Sequence, residues 1–298
     1  MTETNSSRRR ASRYKRLEKP RPMRLTVRDK QVIKAVNDFR MLRQDQVQRL
    51  FFPSRNTAQV RLWLLWQHGF LKREFMPVLG GIQTSPVLYV LNRRGAELLR
   101  TEFGYDDGQL RWSPRKGVGY RYVEHTLGLS EIRVSVVLSC RRHKYRIKTW
   151  IDERGMKSDY DSVKVGKAQV AVIPDSYFVI GLPVGDIHFF LEFDRGPERL
   201  QVFKKKVAAY TAYYGSGKCR ARYGTSKIRV LTVTEHSHVR GGPSRINNLR
   251  QVTEELGGHQ RFWFSNLDQV TKDDFFIEPI WWQAMKAEPA ALFASNLR

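Results

Sequence analysis

The second two thirds of the chain alternate helical segments with apolar strands in an order that restricts the fold more than any other feature. Apolar periodicity predicts a long helix over residues 122–142 and strands over 145–151, 169–180 and 187–194. A helix over 195–214, a strand over 227–234, a helix over 244–256 and a short strand over 261–264 follow. Strands joined first as hairpins and then through a helical crossover form a mixed sheet. The pattern therefore predicts an α/β domain over residues 120–298, in a chain that is α+β overall.

Acidic residues lie on these apolar strands. Pro174 and Asp175 are predicted to lie within the second strand, and Glu192 and Asp194 end the third strand, IHFFLEFD. Because side chains two positions apart in a strand point to the same face, Glu192 and Asp194 are expected to face the same way. Sixteen residues separate Asp175 from Glu192, which is within the reach of a hairpin. Converging carboxylates suit Mg²⁺ or Mn²⁺, so Asp175, Glu192 and Asp194 are the predicted metal ligands.

The element order resembles that of the restriction-endonuclease-like, PD-(D/E)XK fold, in which a lysine stands where this chain has Asp194. Lys206 and Tyr210 are four residues apart and share one face of the next helix, where Lys206 would restore a cation beside the carboxylates. Glu131, on the helix before the sheet, could supply a further oxygen. The candidate catalytic residues are Asp175, Glu192, Asp194, Lys206 and Glu131. The alternative is a structural network in which Arg195 or Lys206 neutralises the acids.

Positive charge is concentrated in the first third of the chain. The 298 residues include 53 Lys and Arg against 29 Asp and Glu, a net charge of +24, and residues 1–103 carry fourteen of these net charges. An excess of this size indicates a polyanionic partner. The apolar stretches are far shorter than the about 18 residues that span a bilayer, which predicts no membrane segment. Two cysteines cannot form a disulfide framework, so we expect a cytoplasmic protein.

Residues 25–103 have the pattern of a winged helix-turn-helix domain. Thr26 is a predicted N-cap, with Asp29 as the acid of a capping box, and two short helices follow. Pro53 ends the second helix and Ser54 caps a third, basic helix that Gly69 ends. Strand-like segments at 70–78 and 86–91 then form a hairpin before a last short helix. Three helices followed by a hairpin predict that the third helix enters a DNA major groove.

The arginines and amides of this region suit duplex DNA. Arg pairs with guanine and Asn or Gln with adenine through two hydrogen bonds each, while other arginines neutralise phosphates. The candidate DNA-binding residues are Arg8, Arg9, Arg10, Arg55, Asn56, Gln59, Arg61, Arg93 and Arg94. The alternative is a small helical interaction domain whose polar face is only solvated.

Two segments outside the domains are predicted to be irregular. Residues 1–24 hold nine Lys or Arg and two acids with few apolar residues, which predicts a flexible basic arm. Residues 104–119 are rich in Gly, Pro and charge and lack periodicity, which predicts a linker and the domain boundary.

Several short motifs together resemble the replication-relaxation proteins of plasmids and integrative elements. They are YVLNRRGAELL, EHTLGLSEIRV, IPDSYFVI, LEFDRG and KKKVAAY, spread over residues 27–235. The resemblance implies plasmid DNA binding, and one branch of the family contains mobilisation relaxases that nick a transfer origin with a PD-(D/E)XK-like domain. Asp194 in place of lysine is nearer to the wider family than to the relaxase branch.

We therefore expect a protein of a plasmid or other mobile element that binds double-stranded DNA at an origin or operator and acts in replication or conjugative transfer. Its C-terminal domain is either a metal-dependent nickase that uses Mg²⁺ or Mn²⁺, or an inactive relative that needs no cofactor and serves binding and self-association, for example as a homodimer. The alternative function is a non-enzymatic winged-helix transcriptional regulator whose C-terminal domain serves dimerisation or effector binding.

Overall fold

The computed structural model describes residues 12–76, 85–111, 119–196, 200–235, 244–258 and 260–293. The chain divides into two compact units, residues 1–127 and 128–298. Helices and a mixed sheet confirm the predicted α+β class. Within the described ranges, no helix combines the length and the apolar character that crossing a membrane requires.

The first unit places three helices before an antiparallel hairpin, in the predicted order. Its described elements are α1 (Val27–Asp38), β1 (Leu42–Arg43), α2 (Gln44–Phe51), α3 (Arg55–Gln67), β2 (Leu71–Phe75), β3 (Val87–Leu91) and α4 (Arg93–Phe103). The strands form an antiparallel sheet in the order β1-β3-β2. Residues 77–84, between β2 and β3, lie outside the described residues.

The ends of α1 and α3 follow the predicted capping signals. The Thr26 hydroxyl accepts a hydrogen bond from the Asp29 backbone N–H at 3.2 Å, and the Asp29 carboxylate accepts from the Thr26 N–H at 2.8 Å. The Ser54 hydroxyl accepts from the Thr57 N–H at the start of α3. Gly69 follows α3 with a φ of 77°, a left-handed conformation that glycine adopts without a steric penalty.

Part of the predicted arm is docked rather than free. Within residues 12–24, the Leu17 N–H donates to the Gln67 side chain at 2.8 Å, and Arg16 donates to the Leu71 carbonyl at 3.2 Å. Arg13 donates to the Ser85 carbonyl beside the hairpin. The prediction of a flexible arm is therefore wrong for residues 12–24, because these long-range hydrogen bonds attach the segment to α3 and to β2.

Part of the predicted linker packs against the first unit. Tyr105 donates to the Asp38 carboxylate, and the Arg111 N–H donates to the Asn37 side chain at the end of α1. Leu110 is 1% exposed. Residues 104–111 therefore belong to the first unit, and the division between units falls after residue 127 instead of within 104–119.

The second unit contains a mixed sheet of six strands within the described residues. Its helices are α6 (Glu153–Ser158), α7 (Leu200–Gly215), α8 (Lys218–Tyr223), α9 (Arg245–Glu255), α10 (Leu267–Lys272) and the part of α5 (Tyr120–His143) that follows residue 127. The strands are β4 (Arg146–Asp152), β5 (Asp161–Val165), β6 (Ala168–Val172), β7 (Ser176–Leu182), β8 (Gly185–Asp194), β9 (Ile228–Thr234), β10 (Phe262–Asn266) and β11 (Trp282–Gln283). The order is β11-β10-β9-β8-β7-β4, in which β8, β9 and β10 are parallel, and β5 pairs separately with β6.

Strand β8 lies at the centre of this sheet and presents a different layer to each face. Phe189 and Phe193 pack with Ile132 of α5 and with aromatic side chains from the C-terminal segment. Phe190 packs on the opposite face, with Val207 of α7 and with residues of α9. Because side chains alternate along a strand, Glu192 and Asp194 share the face that α7 and α9 cover.

The predicted second strand is interrupted. Residues 168–172 form β6 and pair with β5, whereas β7 begins only at Ser176. Pro174 lies between them, and proline has no N–H to donate to a sheet. Asp175 therefore precedes β7 and does not lie within a strand, which corrects the prediction. Residues 153–167, between the first two predicted strands, contain α6 and β5, which the sequence pattern does not predict.

Candidate functional site

Glu192 is the centre of the polar cluster in the second unit. Glu192 lies near the C-terminal end of β8 and is only 4% exposed. Lys206 Nζ donates to Glu192 Oε2 at 3.0 Å, and the Tyr210 hydroxyl donates to Oε1 at 2.5 Å. Both donors lie on α7, one turn apart, which is the proximity predicted from their spacing. The cluster therefore holds a buried carboxylate between an ammonium group and a phenol.

Asp175 completes this arrangement from the start of β7. The antiparallel register pairs Ser176 with Leu191, which brings the preceding Asp175 beside Glu192. A carboxylate oxygen of Asp175 accepts a hydrogen bond from the Phe193 backbone N–H at 2.8 Å. The hairpin therefore brings Asp175 and Glu192 together as the sequence predicted.

The surroundings of Glu192 and Tyr210 favour the protonated form of both side chains. Burial raises the pKa of Glu192 above its ordinary value; the charge of Asp175 raises it further, and Lys206 and Tyr210 oppose that shift. Burial and the charge of Glu192 raise the pKa of Tyr210 well above its ordinary value. Tyr210 therefore keeps its proton at neutral pH and acts as a hydrogen-bond donor to Glu192.

Asp194 is held by a different cation. Arg245, at the start of α9, donates to the two carboxylate oxygens of Asp194 at 2.6 and 3.2 Å. The Gly196 N–H also donates to Asp194 at 3.0 Å, and both members of the ion pair are buried. Asp194 is therefore a buried ion-pair partner of Arg245, and its role as a metal ligand and catalytic residue stays a prediction. The alternative left open by the sequence was a structural network with Arg195 or Lys206. Lys206 does pair with Glu192, but Arg195 pairs with Glu235, and the cation beside Asp194 is Arg245, which the sequence did not suggest.

Two further acids lie in the second unit. Glu131 is buried on α5. This helix packs closely against β8 at Gly128, where the Cβ of any other residue would overlap the Phe193 ring. A carboxylate oxygen of Glu153, the first residue of α6, lies within 4.8 Å of one of Asp175. Sequence reasoning missed Glu153 because it lies in the polar stretch between the first two predicted strands, where no element was predicted. The role of Glu131 stays a prediction.

The donor set around Asp175 fits a hard divalent cation. A carboxylate oxygen of Glu153 lies within 4.8 Å of one of Asp175, and the hairpin places Glu192 beside Asp175; carboxylates supply the oxygen ligands that Mg²⁺ and Mn²⁺ prefer. Lys206 is half-exposed and paired with Glu192, and its ammonium group can stabilise negative charge that develops next to the carboxylates. The arrangement can therefore support phosphodiester chemistry.

The exposed face of α3 carries the second candidate site. Arg55, Asn56 and Gln59 are exposed in the first two turns, while Ala58, Leu62 and Leu65 are fully buried. The polar side chains that suit base edges are therefore presented to solvent at the N-terminal end of the helix that follows α2.

Arg61 does not share that face. Its guanidinium donates to the Asp29 carboxylate of α1 and to the Arg24 carbonyl, and Asp29 is fully buried. Burial opposes ionisation of Asp29, but the hydrogen bonds from Arg61 and Thr26 outweigh it and hold the pKa of Asp29 below its ordinary value. Arg61 is therefore an anchor between α3 and α1, which corrects the prediction that it contacts bases.

The remaining predicted DNA contacts lie elsewhere. Arg93 and Arg94 are exposed at the start of α4, where Arg94 donates to the His68 carbonyl at 2.9 Å and lies over the Phe70 ring. Arg8, Arg9 and Arg10 lie outside the described residues.

A family model described as replication-relaxation matches residues 33–228. Similar solved structures include the restriction endonuclease FokI bound to DNA, with a TM-score of 0.28 and 12% identity over 82% of this chain and 43% of that chain. Another FokI structure has a TM-score of 0.28 and 11% identity, over 82% and 42%. The chain thus spans less than half the length of these structures. No curated protein matches it.

Proposed function

Because the chain belongs to the replication-relaxation family, we propose that it binds double-stranded DNA of a plasmid or other mobile element and acts there in replication or conjugative transfer. We further propose that its second unit cuts one DNA strand in a metal-dependent reaction. Family membership confirms the resemblance inferred from the sequence. The observation that carries the nicking proposal is the buried Glu192 with Asp175 beside it and Lys206 Nζ at 3.0 Å.

Binding of duplex DNA is supported by the first unit. It has the element order of a winged helix-turn-helix domain, in which the third helix enters the major groove. Arg55 and the amides of Asn56 and Gln59 are exposed on α3, where they can pair with guanine and adenine edges. Arg61 is not among the residues that we propose contact bases.

Phosphate binding is supported by the docked segment of residues 12–24. It contains six Lys or Arg and one acid, and these cations are exposed. Lys15 and Lys19 can neutralise DNA phosphates and release their counterions. This contribution is independent of the base sequence, and it extends the contact surface beyond α3.

In the nicking proposal, the residues of the second unit divide the chemistry. Asp175, Glu192 and Glu153 would hold Mg²⁺ or Mn²⁺, and the bound cation would polarise the scissile phosphate and lower the pKa of an attacking water. Lys206 stabilises negative charge that develops on the phosphate. Tyr210 orients Glu192 through its hydrogen bond to Oε1. Arg245 neutralises Asp194, so this acid adds no uncompensated charge near the DNA.

A second function has an observation in its favour. Both oxygens of Glu192 accept hydrogen bonds from Lys206 and Tyr210. These two hydrogen bonds stabilise the buried carboxylate without a metal. Such an arrangement suits a nuclease-like domain that does not cut DNA and serves dimerisation or effector binding instead. The alternative proposal is therefore a winged-helix regulator that binds DNA and does not cut it.

The DNA-binding part is tested with the full chain and fluorescein-labelled random duplexes of 30 base pairs. Anisotropy titrations from 50 to 300 mM NaCl are expected to give a log–log slope between affinity and salt that reports the phosphates neutralised. The Lys15→Ala/Lys19→Ala variant should reduce the slope by about 2, since each phosphate contact contributes about 1. Absence of duplex binding by the wild type at 50 mM NaCl would contradict the proposed function.

A further inference from the structure

One apolar side chain stands among the exposed polar residues of α3. Val60 is 57% exposed, and it lies one residue after Gln59 and four after Asn56 on the helix surface. Residues three or four apart in a helix are neighbours, so Val60 and Asn56 share a face. The β-branched valine is a poorer helix former than alanine, so helix stability does not favour it at an exposed position.

The helix cannot turn this side chain into the core. Leu62 and Leu65 are fully buried, and Arg61 is held by the fully buried Asp29 of α1. These contacts fix the rotation of α3 about its axis. Val60 therefore remains on the outer face, together with the two amides.

The chemistry of this face matches one feature of DNA. Asn and Gln pair with adenine in the major groove, and the thymine of each A·T pair presents its C5-methyl group in that same groove. An exposed apolar side chain that is buried when the helix docks gains free energy from contact with this methyl group. We propose that Val60 is a specificity-determining residue that contacts the C5-methyl group of a thymine, in a recognition site that contains A·T pairs. The inference rests on the proposed DNA binding.

The test removes a single methyl group from the DNA. The full chain first enriches its preferred duplexes from a random pool, and each thymine of the enriched site is then replaced in turn by deoxyuridine, which differs only in the C5-methyl. Wild type is expected to bind one substituted duplex about fourfold more weakly, the effect of burying one methyl group. Val60→Ala should bind the thymine and uracil duplexes equally.

Val27→Ala is the matched control. Val27 is 73% exposed on α1, so its substitution should leave the thymine-to-uracil ratio of about four unchanged. A ratio of one at every thymine in the wild type, or an unchanged ratio in Val60→Ala, overturns the inference while DNA binding stands. Duplex binding without enrichment of any sequence also overturns the inference. A wild type that binds no duplex refutes the proposed function as well.

Discussion

The Arg61–Asp29 pair provides a direct test of the assignment of Arg61 as an anchor. Asp29 is fully buried and accepts hydrogen bonds from Arg61 and from the backbone and hydroxyl of Thr26. In Arg61→Met the apolar stem of the side chain is kept, but a buried charge loses its cation. Removal of one partner of a buried pair costs about 3–5 kcal/mol. The Arg61 side chain is 24% exposed, so solvent weakens the pair and we expect about 3 kcal/mol.

The assay is urea denaturation followed by far-UV circular dichroism, with Arg55→Ala as the matched control on the same helix. Arg55 is exposed, so its substitution should change the free energy of unfolding by less than about 0.5 kcal/mol but weaken specific DNA binding by about 1–3 kcal/mol. The second substitution Asp29→Asn should recover part of the stability lost in Arg61→Met, because it removes the unpaired charge.

The pH dependence of this pair has a defined sign. The pKa of Asp29 is lowered in the folded protein, so its stabilising contribution is present above the ordinary value of about 3.9 and is lost as the pH falls through the lowered value. The stability difference between wild type and Arg61→Met should therefore shrink as the pH falls from 6 to 3. Equal stability of the two proteins at pH 7 would refute the reasoning and return Arg61 to the group of DNA contacts.

Three further predictions concern the second unit. Tyr210→Phe removes the donor to Glu192 Oε1 and should lower the free energy of unfolding by about 1–3 kcal/mol, measured by urea denaturation; an unchanged value would show that the hydrogen bond contributes nothing. Arg245→Met should lower the free energy of unfolding by about 3–5 kcal/mol in the same assay, and the double variant Asp194→Leu/Arg245→Met should recover most of that loss. If the single and the double variant lose equal stability, the assignment of a buried ion pair is contradicted. Burial opposes the ionisation of Asp274, but hydrogen bonds from the His143 imidazole and from two backbone N–H groups lower the pKa of Asp274. The thermal stability of the wild type should therefore decrease as the pH drops below about 3.9, and that of Asp274→Asn should decrease less steeply.

Local patterns accounted for much of the structure. The long helices and the central strands of the second unit, the capping box at Thr26 and the apolar face of α3 follow from periodicity and from signals within a few residues. The short elements α6, β5, α8, α10 and β11 were not predicted. The proximity of Lys206, Tyr210 and Glu192 also followed, because a four-residue spacing on a helix and a hairpin between two strands restrict where side chains can meet.

Partners distant in the sequence were not predictable in the same way. Arg61 binds Asp29 across 32 residues, and Asp194 binds Arg245 across 51. No local spacing identifies these pairs, because the packing of whole helices decides which cation reaches which acid. The break at Pro174 had a local signal, since proline does not fit a central strand, and the apolar run around it hid that signal.

Nicking of supercoiled DNA tests the central claim most directly. A supercoiled plasmid carrying the sequence that the full chain enriches is incubated with protein and Mg²⁺ or Mn²⁺, and open-circle product is measured on agarose gels. Wild type is expected to convert the plasmid to the open circle in the presence of metal, Glu192→Ala to abolish the conversion, and Lys206→Met to reduce it strongly while DNA binding is retained. Tight binding of that sequence with no nicking in either metal would contradict the nickase and favour the regulator.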